Sequence, residues 1–165
     1  WESCLTLGAD FNYAYGDHYK SQRELVNLLV NIVAKGGNMA LNVSPQPDGR
    51  IPVEAWESLR GLGAWMQTYG EAIYGTRICA PYQSGNLAFT QKGDTVYAIR
   101  LYPEEGEAVE EELLIPYQEK IRGISMVDTK KAVEWQITEE GIRVVIPKEY
   151  REGDTPIAIV WKIER

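Results

Sequence analysis

Ser21-Gln-Arg-Glu-Leu-Val-Asn-Leu-Leu-Val-Asn-Ile-Val-Ala-Lys-Gly-Gly-Asn-Met-Ala-Leu-Asn-Val43 contains two elements and the break between them. Ser21 with Glu24 three residues on forms a capping box, in which each side chain satisfies the other residue's orphan backbone N–H. Leu25, Leu28, Leu29, Ile32 and Val33 recur at helical spacing, so the pattern predicts a helix with one apolar face, stopped by Gly36 and Gly37. Asn38 to Val43 is short and almost continuously apolar directly after that helix, which suits a parallel strand buried on both faces. A helix that delivers the chain into such a strand is half of a β/α repeat, and its neighbours should repeat the pattern.

They do. Upstream, Ser3 to Leu7 reads as a strand, and Gly8 to Lys20, rich in Gly, Asn and Tyr, is long for a connection and so a candidate functional loop. Downstream, Pro45, Pro47, Asp48 and Gly49 turn the chain, and Pro52 suits the first turn of a second helix, where its missing N–H costs nothing. Ala55, Trp56, Leu59, Leu62, Met66 and Tyr69 give that helix a broad apolar stripe, and Gly70 ends it. Two parallel strands and two helices cannot cover their own faces and edges. Residues 1 to 74 therefore read as the closing units of a larger β/α fold, and the start at Trp1 instead of Met fits a processed form or a piece of a longer polypeptide.

Beyond residue 75 the period switches to two. Leu87 to Gln91 and Thr95 to Tyr102 flank a Lys92-Gly93-Asp94 turn, a hairpin signal because Gly supplies the positive φ of tight turns. Glu112 to Ile115, Ile121 to Val127, Ala132 to Ile137, Ile142 to Ile146 and Pro156 to Ile163 follow at strand-like spacing, with turns at Glu140-Gly141 and around Gly153. Short antiparallel strands in this rhythm predict a β-sandwich.

Composition narrows the function. The 165 residues hold 17 Lys plus Arg against 24 Asp plus Glu, a formal net charge of −7, with 44% apolar and 25% charged residues. Clustered cations that grip phosphate backbones are missing, and the densest charge run, Glu104 to Glu112, is acidic and expected to be a solvated loop; nucleic acid and anionic membrane are disfavoured as partners. The longest apolar-rich stretch, Leu25 to Ala34, falls far short of the ~20 residues of a membrane span. Cys4 and Cys79 lack zinc-ligand spacing and are expected to be buried thiols. The compartment stays open between cytoplasmic, periplasmic and secreted.

Phosphate loops, GxSxG and HExxH are absent, and the only histidine, His18, sits in a polar loop beside Asp17, where it reads as a solvated or hydrogen-bonded residue. In β/α folds the reacting groups gather at the carboxyl ends of strands and in the loops that follow, here Gly8 to Lys20 and Ser44 to Ile51. Phe11, Tyr13 and Tyr15 lie in the first of these. Aromatic faces there either hold sugar C–H surfaces or pack onto the first helix. Glu2 beside Trp1 is either a carboxyl that an aromatic wall and burial tune for proton transfer, or a strand-start ion pair.

Five motifs in order then point one way: Trp1-Glu2-Ser3-Cys4, Phe11-Asn12-Tyr13, Lys35-Gly36-Gly37-Asn38-Met39-Ala40-Leu41-Asn42-Val43-Ser44-Pro45, Asp48-Gly49-Arg50-Ile51-Pro52 and Gly70-Glu71-Ala72-Ile73-Tyr74-Gly75-Thr76. Together they resemble the C-terminal part of glycoside hydrolase family 29, the α-L-fucosidases. The resemblance is close over residues 1 to about 77 and only a matter of pattern beyond. It implies α/β followed by all-β: the last units of a (β/α)8-like catalytic barrel over residues 1–76, then a C-terminal antiparallel β-sandwich over 77–165. It implies retaining hydrolysis of terminal α-L-fucose from glycoconjugates or oligosaccharides, with an Asp nucleophile upstream of this chain and no metal or organic cofactor. The chain alone should be inactive.

By the same resemblance Trp1, Phe11 and Tyr13 belong to substrate binding, with Phe11 packing on the C6 methyl of fucose. Glu2 matches a Glu that serves as acid/base in some members, while in others an acidic residue shortly upstream does so. Asn12 and Ser44 stand where the family usually has Gly, and Asn42 reads as a residue that fixes the loop. The implied partners are a fucosylated glycan and the rest of the barrel. Two further readings stay in view: the sandwich as a non-catalytic carbohydrate-binding or structural module, and a complete small protein whose exposed half-barrel is covered by homo-oligomerisation.

Overall fold

The structure is a computed structural model that describes all 165 residues. Its first half is β1 (Glu2–Thr6), α1 (Gln22–Ala34), β2 (Asn38–Asn42) and α2 (Val53–Tyr69). The capping box forms at the start of α1: Glu24 N donates to Ser21 Oγ at 3.2 Å and Ser21 N donates to Glu24 Oε2 at 2.7 Å. These bonds from Ser21 hold the Glu24 carboxyl below its ordinary pKa. β1 and β2 pair in parallel, from Glu2 opposite Asn38 to Thr6 opposite Asn42. One face of the pair is covered by the helices, where Leu7, Leu25 and Ala55 are buried against Leu41 and Val43. Its other face carries Glu2, Cys4 and Asn38, all exposed. Cys4 is therefore not the buried thiol expected, because residues alternate across a strand and this face has no layer on it; Cys79 is buried.

A 3-10 turn, Gly70–Ala72, leads into β3 (Arg77–Ser84), β4 (Leu87–Lys92), β5 (Thr95–Leu101), β6 (Glu112–Ile115), β7 (Gly123–Met126), β8 (Trp135–Thr138), β9 (Gly141–Val145), the short α3 (Lys148–Arg151) and β10 (Ala158–Glu164). Five strands form one antiparallel sheet in the order β3-β4-β5-β10-β7, and β6-β9-β8 form a second. Phe89, Ala98, Ile159 and Trp161 from the larger sheet meet Ile115, Ile142 and Val144 from the smaller one, as a β-sandwich requires.

The larger sheet departs from a simple sandwich in being buried on both faces. Ala88, Tyr97, Ile99 and Val160, on its other side, pack with Val26, Leu29 and Val30 of α1, Trp65 of α2 and Ile73. The run Ala158-Ile-Val-Trp161 has no polar alternation for this reason. β3, which the strand pattern does not predict, is an edge strand bulged between Ile78 and Gln83, and it holds Pro81 at the only kind of place where a sheet tolerates a missing N–H.

Polar contacts ring the apolar seam between helices and sheet. Arg23 of α1 donates to Tyr102 O at 2.5 Å, Pro156 O at 3.0 Å and Thr155 O at 2.9 Å. Glu71 accepts from Lys130, Lys162 and Tyr97, and Asp128 accepts from Tyr69 and Tyr150. The acidic run is not merely solvated: Glu107 and Glu110 pair with the largely buried guanidinium of Arg100, and Tyr102 donates to Glu110 at 2.8 Å. Burial pushes the Glu110 carboxyl up, but these hydrogen bonds on balance hold it below its ordinary value.

Candidate functional site

The carboxyl ends of β1 and β2 carry the loops 8–20 and 44–51, and side chains from both fix the first loop in place. Lys20 spans its base, donating to Thr6 O at 2.7 Å and Gly8 O at 3.3 Å. Asp17 accepts from the backbone N–H groups of Ala9 at 3.0 Å and His18 at 2.8 Å, and it lies so close to Gly8 that no Cβ would fit there. Asn42 Nδ2 donates to Phe11 O at 2.9 Å, and Ser44 Oγ donates to the same oxygen at 2.9 Å and to Asp10 O at 3.2 Å. Asn42 thus fixes the loop, as its sequence position suggested.

Ser44 is buried and has φ of 39°, a left-handed conformation that favours Gly, so the backbone keeps the geometry a glycine would supply. Its hydroxyl bonds offset that strain. Asn12 has no positive φ, and its place in the loop needs no glycine.

This scaffold presents Phe11 with its ring 53% exposed at the strand ends. Tyr13 is half-buried beside it in the chain and lines a cleft of about 280 Å³ together with Gln46 and Glu54 from beyond β2. Trp1 and Glu2 lie elsewhere. They open β1, and four residues at ~3.3 Å each put Glu2 roughly 13 Å from the strand's carboxyl end. Trp1 donates from Nε1 to Lys35 O at 3.1 Å, and its ring lies where a Cβ on Gly37 would come within 2.5 Å, so it packs on the end of α1. Glu2 is exposed on the uncovered face, neither buried against an aromatic wall nor held in a strand-start ion pair. The structure brings Phe11, Asn42 and Ser44 together, places Tyr13 in the cleft on the same loop, and leaves Trp1 and Glu2 at the opposite end of β1.

His18 is exposed and engages Asp17 only through its backbone N–H. A more voluminous cleft, about 620 Å³, lies at the seam near Arg23, Glu107 and Arg151. Arg23 and Arg151 use their terminal nitrogens on backbone carbonyls and on Glu111 while their Nε atoms are buried without a partner; the cleft is lined by no aromatic side chain, so for a sugar the aromatic-bearing strand ends are the better site despite their smaller cleft. Ser44 and Lys20 were not singled out by chemistry in the sequence; only the departure from a glycine marked Ser44.

Parallel β/α units with loops fixed at their carboxyl ends, backed by an antiparallel sandwich, have the architecture of the closing units of a β/α fold followed by a β-sandwich domain. The profile described as Alpha-L-fucosidase matches residues 1–71, and that of the Alpha-L-fucosidase C-terminal domain matches residues 81–164. The chain belongs to the α-L-fucosidase family. It is 32% identical over 160 residues to an α-L-fucosidase of Branchiostoma floridae, covering 89% of this chain and 34% of that protein. It is 28% identical over 174 residues to the tissue α-L-fucosidase of Homo sapiens, covering 99% and 36%. Among solved structures, Thermotoga maritima α-fucosidase in complex with a mechanism-based inhibitor superposes with a TM-score of 0.85 at 30% identity, covering all of this chain and 40% of that one. Alpha-L-fucosidase isoenzyme 1 from Paenibacillus thiaminolyticus gives 0.86 at 27% identity, covering 99% and 39%. The chain thus spans about a third of the length of the curated relatives it matches.

Proposed function

We propose that the polypeptide carrying this chain is a retaining exo-α-L-fucosidase that removes terminal α-L-fucose from glycoconjugates or oligosaccharides. Residues 1–76 close its catalytic barrel and residues 77–165 form its C-terminal sandwich domain. The observation that carries the reading is Phe11: an exposed aromatic ring at the carboxyl end of the strands, on a loop whose backbone is fixed at Asp10 and Phe11 by Asn42 and Ser44. A fixed apolar face suits a deoxysugar, which differs from its hydroxylated counterpart by the methyl it can bury.

In retaining hydrolysis an Asp carboxylate attacks the anomeric carbon and forms a glycosyl ester as the aglycone oxygen leaves, protonated by a second carboxyl. That carboxyl then takes a proton from water, which hydrolyses the ester. The nucleophile lies in the rest of the barrel. For proton transfer, the place of Glu2 at the start of β1 favours the upstream carboxyl, because barrel enzymes do their chemistry at the other end of the strands.

In the full-length polypeptide, Phe11→Ala should reduce the preference for aryl α-L-fucosides over aryl α-L-galactosides by up to about 10²-fold in kcat/KM, the scale on which an apolar pocket resists an added hydroxyl. Equal losses for both sugars would remove the methyl contact. Glu2→Gln should leave the acidic and basic limbs of the pH–rate profile in place; loss of the basic limb, with activity on strongly activated leaving groups spared, would instead make Glu2 the acid.

A further inference from the structure

The open face of the parallel pair carries a pattern of its own. Residues opposite one another in register share a face, so Glu2 lies beside Asn38, Cys4 beside Ala40 and Thr6 beside Asn42, on the side away from α1 and α2. Thr6 and Asn42 stand at the carboxyl end, Cys4 and Ala40 form a middle level of small side chains, and Glu2 with Asn38 forms the amino-terminal level. Glu2, Cys4 and Asn38 are exposed. The ion pairs of the structure all lie elsewhere, and Glu2 is the one charged residue of this face.

We propose that Glu2 receives a guanidinium from the other strands of the barrel, in an ion pair at the amino-terminal level of the barrel core. The inference rests on the reading of residues 1–76 as the end of a closed barrel and adds to it the chemistry that joins this face to the rest. The chain spans about a third of its curated relatives, so a polypeptide of their size has length enough to supply the remaining strands. Once those strands close, side chains fill the interior in layers and Glu2 is taken out of water.

A buried carboxylate is tolerated when a counter-charge and hydrogen-bond donors meet it, and this face offers no cation. Asn38, on the neighbouring strand ~4.8 Å away, sets an amide oxygen beside the carboxylate. Such a row of acceptors suits the planar fork of Arg better than the single ammonium of Lys. The small side chains of Cys4 and Ala40 leave the space that a long side chain needs to reach across the interior. The pair lies at the end of the strands away from the chemistry, so it holds the barrel closed without taking part in proton transfer.

Carboxyl footprinting of the full polypeptide with carbodiimide and glycinamide, read by mass spectrometry, should leave Glu2 protected while the exposed Glu104 is labelled. Glu2→Gln should lower the thermal midpoint of the same polypeptide by roughly 5 °C, against less than about 1 °C for Glu104→Gln. Glu2→Leu should lower it at least as far, because it strands the guanidinium. Labelling of Glu2 as fast as Glu104, a midpoint unmoved by Glu2→Gln, or a Glu2→Leu variant more stable than the parent, as for a buried carboxyl without a partner, would each overturn the pair. A cross-link from Glu2 to a lysine, formed by carbodiimide alone, would overturn the guanidinium. Loss of aryl fucoside turnover in Glu2→Gln at an unchanged midpoint would make the carboxyl catalytic and overturn the proposal as well. Turnover by the unaltered polypeptide reports the fucosidase reading independently.

Discussion

β10 and β2 are both short apolar strands, and they are treated in opposite ways. β10 is paired on both edges, with β5 and β7, and covered on both faces, so Ala158 to Trp161 are all buried. β2 is paired only with β1 and covered only on the face that holds Leu41 and Val43. Since burial of apolar surface stabilises by about 25 cal/mol per Å², the cohesion of this chain is concentrated in the sandwich and in its seam with α1 and α2. The loops that can meet a ligand extend from the sparsely buried pair. The all-β region anchors; the β/α region carries the loops proposed to recognise a ligand.

The largest test of that division is Trp161→Ala. Its side chain is completely buried in the sandwich core, and removing it should cost ~3–5 kcal/mol by urea denaturation, against about 2 kcal/mol or less for Leu41→Ala in the half-covered pair. The reverse order would break the comparison.

Arg23→Ala should come next. It leaves Tyr102 O, Thr155 O and Pro156 O without their charged donor, a loss of ~2 kcal/mol on the scale of hydrogen bonds to charged groups. Limited proteolysis should then cut within residues 8–76 before the sandwich; simultaneous cleavage of both would show that the seam does not depend on this latch. Arg23→Lys should recover only part, because an ammonium lacks the planar fork that reaches three carbonyls.

A smaller effect is expected at Glu71 on the same seam. Burial pushes its carboxyl up, but hydrogen bonds from Lys130 and Tyr97 and the charges of Lys130 and Lys162 on balance hold it below its ordinary value. A depressed folded pKa stabilises above the unfolded value and is lost as pH falls through the folded one, so the contribution fades below roughly pH 4.5. Glu71→Gln should flatten the fall in thermal midpoint between pH 6 and about pH 3.5, by a degree or two at most for a partly exposed pair. An unchanged slope would place the acid sensitivity in other carboxylates.

Much of this architecture was legible because local chemistry fixes it. The capping box at Ser21 and Glu24, the Gly36-Gly37 stop and the Lys92-Gly93-Asp94 turn each specify an element within a few residues. β3 was hidden because its Pro81 and bulge are tolerated only at an edge, and being an edge is a property of the assembled sheet. The seam was equally invisible: Arg23 finds its carbonyl acceptors 79 to 133 residues away, with no periodicity to announce them. At the candidate site, Phe11 and Tyr13 were legible as residues of a long aromatic loop, whereas the separation of Trp1 and Glu2 from them needed the direction of β1. Proximity in sequence across a strand is distance along it.

The finest test concerns the loop alone. Ser44 combines two opposing contributions: a left-handed φ that costs a non-glycine residue ~1 kcal/mol, and a hydroxyl donated to Asp10 O and Phe11 O that returns a similar amount. Ser44→Gly removes both, so global stability should shift by less than ~1 kcal/mol. Ser44→Ala keeps the strain and loses the bonds, and should be the less stable of the two. If the hydroxyl is what stills the Phe11 loop, amide exchange at Phe11, Asn12 and Tyr13 should speed up in Ser44→Gly while the melting temperature barely moves. Exchange that stays slow would assign the loop's order to Asn42, the other donor to Phe11 O, and the recognising end of the molecule would then rest on one side chain, not two.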